Sequence, residues 1–158
     1  MNWDILDFTV FGAMLLGVGV SYAAAKRQSD DLAYRIAVGV ALATAFILIW
    51  VNGAVGIIGA ENNDANLMFI GVLAVGAIGG IIARFQPRGM ALALCATALA
   101  QAIVAAIALL ARLGSTAPGW PGDILMLTGF FISLWLLSAW LFRNASRAPP
   151  VLDKSPDV

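Results

Sequence analysis

Five long apolar runs, parted by short polar breaks, constrain this chain more than any other feature. In hydrocarbon every backbone N–H and C=O must find a partner, and a helix satisfies them within one segment. A spanning helix needs about 20 mostly apolar residues. The runs cover about 8–25, 34–59, 65–83, 88–111 and 123–142. They predict an all-α integral membrane protein, a bundle of five transmembrane helices, with 1–143 as its single domain. Residues 144–158 are polar and contain Pro, and read as a disordered cytoplasmic tail. Composition agrees. Hydrophobic residues make up 61% and charged residues 11%, against about 45–50% and about 25% in soluble domains.

Alternating the spans places Lys26, Arg27, Arg35, Arg84, Arg88, Arg143, Arg147 and Lys154 on one face and Arg112 alone on the other. Basic residues gather on the cytoplasmic side, so the N-terminus is expected outside and the C-terminus inside. The opening "MNWDILDFTV" has no Lys or Arg before its apolar run, and reads as the start of a span rather than a signal peptide. Pro87 is placed to open the fourth helix, and Asp123 to cap the fifth. Trp3 and Trp120 suit the outer interface, and Tyr22, Tyr34, Phe85 and Trp140 the inner one.

Several chemistries are disfavoured. The chain has no histidine, which removes the usual general base and the commonest metal and haem ligand. It has no HExxH, no GxSxG and no paired carboxylates inside a span, so no enzyme is expected. Nine basic residues balance nine acidic ones, giving no basic excess for nucleic acid. No Asp, Glu, Lys or Arg lies near the middle of a span, where pumps and voltage sensors carry them. The single cysteine, Cys95, reads as a small buried hydrophobe. No cofactor is implied.

Small residues let helix backbones approach in lipid. The second span aligns Ala41, Ala45, Asn52, Gly56 and Gly59. The third offers Gly76 and Gly80 as a GxxxG pair, and the fourth aligns Ala93, Thr97, Gln101, Ala105 and Ala108. The fifth carries the bulky Phe130, Phe131, Leu134, Trp135 and Leu137, which suit lipid or a partner. Spans two, three and four are therefore expected at the centre. Asn52 and Gln101 are the deepest polar side chains, either hydrogen-bonding between helices or lining a path with Thr97.

The polar island "AENNDAN", residues 60–66, joins spans two and three. Gly59 is a natural C-terminal cap, and Asn63 or Asp64 a natural N-cap. Glu61 and Asp64, with the carbonyl oxygens of Asn62, Asn63 and Asn66, also form an oxygen-rich set that suits a hard cation such as Ca²⁺. Arg112 is placed to pair with Glu61 or Asp64 across the outer surface.

"WDILDF", "LIWVNGAVGIIGAENNDANLMFIGVLAVG" and "IARFQPRGMALALCATALAQ" resemble segments of a family of small, uncharacterised bacterial multi-span membrane proteins. The resemblance implies the bacterial inner membrane and carries no assigned activity. The expected function is non-enzymatic: a homo-oligomer or an accessory subunit of a larger membrane complex, with lipid and other membrane subunits as partners. The alternative is a channel or carrier for a small ion or solute.

Overall fold

The computed structural model describes residues 5–147. Its helices are α1 (Ile5–Gln28), α2 (Leu32–Ala54), α3 (Met68–Ile82), α4 (Pro87–Leu110) and α5 (Gly122–Ala145). A 3-10 turn, Asp64–Leu67, leads into α3. With that turn, each is long and apolar enough to cross a membrane, and no strand occurs among the described residues. Trp3, Lys154 and most of the expected tail lie outside the described residues.

Local chemistry sets most of the helix ends. Asp31 opens α2, its Oδ1 accepting the Ala33 N–H at 2.9 Å. Pro87 begins α4, where its missing N–H costs nothing, and Gln86 is the cap residue. Pro121 occupies the cap position of α5, with no side-chain bond, so Asp123 lies inside the first turn instead of capping it. Between α3 and α4, Arg84 and Phe85 adopt left-handed backbone (φ 50° and 56°), uncommon for residues with a side chain. The Phe85 N–H reaches back to the Gly80 carbonyl at 3.1 Å, and its own carbonyl accepts the Tyr34 hydroxyl at 2.7 Å. That bond ties the start of α2 to the α3–α4 turn. Tyr34 is thus buried, and its ring meets Phe142 edge-on at 5.2 Å.

The helices pack in the order α1–α2–α5–α4–α3. This corrects the expected centre. α2 and α3, consecutive in the chain, do not pack closely, and α5 lies between α2 and α4. The reason is in the spacing of buried residues. On α5, Ile124, Thr128, Phe131, Trp135, Ser138 and Phe142 fall at alternating steps of four and three, with Ala139 buried beside them. On α4, Leu94, Ala98, Gln101, Ala105 and Ala108 follow the same rhythm. A seven-residue rhythm of this kind keeps one seam facing its neighbours along a whole helix. Bulk on α5 fills what small residues on α4 leave open, as close packing requires. Phe131 and Trp135 are 0% and 3% exposed, while Phe130 and Leu137 turn outward at 50% and 45%. Of the five bulky residues only these two therefore face away from the protein, and Leu134 is half-buried.

The α3–α4 contact also shifts from its expected register. A Cβ added to Gly76 would lie 3.1 Å from Thr97 Oγ1, and one on Gly79 only 2.8 Å from Ala93 Cβ. Gly80 has ordinary clearance, 3.5 Å to Met90 Sδ. The close approach uses Gly76 and Gly79, not the GxxxG pair Gly76 and Gly80. Cys95, expected inside, is exposed on the outer surface of α4.

Candidate functional site

Two places carry enough polar chemistry to be sites: the island at 60–66 and the polar side chains within the helices. At the island, α2 ends at Ala54, five residues before Gly59. Gly56 stops it, its left-handed φ of 78° letting its N–H close on the Val51 carbonyl at 3.0 Å. Gly56 and Gly59 therefore belong to the connection and not to a helix-packing stripe. Beyond Gly56 the chain folds inward and buries Ile57 and Ile58.

Folding two amides inward requires an acceptor for them. Asn66 supplies it. Its Oδ1 accepts the Ile57 and Ile58 N–H groups at 3.1 and 2.9 Å, and its Nδ2 donates to the Ala60 carbonyl at 2.9 Å. Asn63 Oδ1 accepts the Ala65 N–H at 3.0 Å and so caps the 3-10 turn that leads into α3, while the cap position of α3 itself falls to Leu67, with no side-chain bond. Of the expected cation set, Asn66 has both Oδ1 lone pairs turned to backbone amides, and Asn63 serves as a cap. Glu61, Asn62 and Asp64 are exposed, and no group of three acidic or cysteine side chains among the described residues converges on a common point.

Arg112 does not pair with Glu61 or Asp64. It sits exposed in the turn that closes α4, with φ 52°, while Leu113 N–H returns to the Ala108 carbonyl at 2.8 Å. The two connections meet instead through glycine. A Cβ on Gly114 would stand 2.9 Å from Gly59 Cα, and both residues have left-handed φ, 70° and 75°. Backbone-to-backbone contact, not charge, fastens the 55–63 segment to the α4–α5 loop.

The intrahelical polar groups do not converge. Asn52 Nδ2 donates to Leu48 in its own helix at 3.1 Å, and its Oδ1 is buried without a partner. An Asn52 bond to another helix is thus absent. Gln101, fully buried, accepts the Trp135 indole N–H at 3.1 Å, joining α4 to α5. Thr97 donates to Ala93 in its own helix at 2.8 Å and packs against Gly76. Ser138 crosses from α5 to the Ala37 carbonyl of α2 at 2.7 Å.

No family model, curated protein or solved structure matches the chain.

Read along α5, the polar groups become a set of fasteners: Ser138 to α2 at one level and Trp135 to α4 one turn away. Trp135 and Ser138 were not singled out as polar partners from sequence. The available signal was their shared place in the four-three rhythm of α5.

Proposed function

We propose that this chain is a non-enzymatic multi-pass protein of the bacterial inner membrane, N-terminus outside, that works by packing as a homo-oligomer or as an accessory subunit. The observation that carries this reading is the position of α1. Among the described residues its main packing partner is α2, and Ala25 is its one buried residue. Gly12 and Gly19, with Ala23, share a flank at i, i+7 and i+11, and nothing lies within 4 Å of a Cβ added at either glycine. Small residues on a lipid-facing helix favour close association with another helix. The opposite edge of the row, α3, is likewise covered on one side only.

The channel reading draws less support. Asn52 and Thr97 bond within their own helices, α2 and α4, and Gln101 bonds to Trp135 of α5.

The test is the mass of the solubilised full chain in nanodiscs. A defined oligomer or a stoichiometric partner is expected, and the double variant G12I/G19I should weaken the association about tenfold or more, on the scale of a lost helix–helix interface. A wild-type protein that remains monomeric and partnerless removes the proposal.

A further inference from the structure

An open groove runs between α1 and α2 on the side away from α5. Its section nearest the α1–α2 turn has a volume of about 420 Å³, with Arg35, Tyr22 and Gly39 in its wall. A second section of about 360 Å³ continues it past Tyr22, Gly39 and Ala43 to Phe46 and Ile47. Among the described residues lining both sections, Arg35 alone is charged. The remainder are apolar apart from the Tyr22 hydroxyl.

The length is informative. From Arg35 to Ile47 the helix rises about 18 Å at 1.5 Å per residue. One leaflet of a bilayer has a hydrocarbon depth of about 15 Å, half of the full core. A groove charged at one end and apolar for the depth of one leaflet matches a lipid set with its head at Arg35. The head end is specific in sign. Arg35 Nε is buried without an acceptor, and its guanidinium forms no ion pair with Asp30 or Asp31. Asp31 is engaged as the cap of α2. Lys26 and Arg27 end α1 beside the same turn, so basic groups outnumber acidic ones there by three to two. A buried guanidinium N–H calls for an anionic acceptor, and phosphate oxygens match its fork. Basic pockets between membrane helices take anionic head groups for this reason.

We infer that the α1–α2 groove binds one anionic phospholipid, its phosphate on Arg35 and an acyl chain along Gly39, Ala43 and Phe46. The assignment rests on membrane residence and not on self-association. The flank carrying Gly12 and Gly19 is a different side of α1 from the groove wall at Leu15, Val18 and Tyr22.

Native mass spectrometry of the full chain, given phosphatidylglycerol and phosphatidylcholine with the same acyl chains, tests it. Wild type should retain phosphatidylglycerol about tenfold over phosphatidylcholine, whose phosphate is offset by a choline cation set beside Arg35, Lys26 and Arg27. R35Q should bring that ratio to about one, whereas R143Q, at the exposed end of α5, should leave it unchanged. G39F has open space for its ring, since nothing lies within 4 Å of a Cβ at Gly39, and should lower retention of both lipids several-fold by filling the groove. A wild-type ratio near one overturns the inference without recourse to any variant. So does an equal fall in R35Q and R143Q, which would mark general charge. Loss of the adduct to excess inorganic phosphate would deny the lipid source, and a lipid-free dimer joined through Gly39 would assign the groove to a second copy.

Discussion

Asn66 shows how one side chain can organise a connection. Three backbone groups, two N–H and one C=O, turn away from solvent between Ile57 and Ala60 and meet one amide. Asn has the right inventory for the task, an acceptor with two lone pairs beside a donor. Asn66→Ala should cost about 2–4 kcal/mol, because several buried groups lose their partners at once. The loss can be read from reversible unfolding in detergent, and hydrogen exchange should accelerate first at Ile57 and Ile58. Unchanged exchange there would contradict the role. The loop character of the island was legible in its run of polar residues. The job of Asn66 was not, because Val55, Ile57 and Ile58 are as apolar as the helix they follow and hydropathy extends the span through them. Gly59 was legible as a residue suited to left-handed backbone. Its partner Gly114 was hidden by distance along the chain.

At the scale of helices, the α3–α4 contact depends on which glycine faces inward. Gly79→Ala places a methyl 2.8 Å from Ala93 Cβ, and both helices must move to admit it. Gly80→Ala enters ordinary van der Waals space beside Met90. Gly79→Ala should therefore destabilise by about 1–3 kcal/mol, the usual range for overpacking, and Gly80→Ala by much less. Comparing the two unfolding midpoints checks this, and the reverse order would show that the close contact uses Gly80. Helix existence was readable from length and hydropathy alone, since those depend only on neighbours in sequence. Facing was harder. An apolar helix in lipid has no polar side to betray its orientation, so Phe130 and Phe131 look alike until the four-three rhythm through Ile124, Thr128 and Trp135 separates them.

For the whole molecule, the order α1–α2–α5–α4–α3 means that two hairpins, α1–α2 and α3–α4, are joined mainly across α5. Tyr34 and Phe85 touch where the two hairpins meet beside Phe142. A chain ended at Gly119 should keep each hairpin but lose their union. With Cys95 replaced by Ala, a short bifunctional thiol reagent should link Tyr34→Cys to Phe85→Cys in the full-length protein and fail to do so in the shortened one. Supplying α5 as a separate peptide should restore the link. Efficient linking without α5 would show that the hairpins recognise each other directly.

That arrangement also sets a clock. The ribosome delivers α5 after α3 and α4, so the Ala37 and Thr44 face of α2 has to wait, unmatched by α5, while those two helices are made. During that interval the two hairpins lack the helix that joins them, and the waiting face of α2 is open to whatever neighbouring helix reaches it first. The union of the two hairpins is completed only once α5 has been made, so the folding of these five helices turns on that one later event.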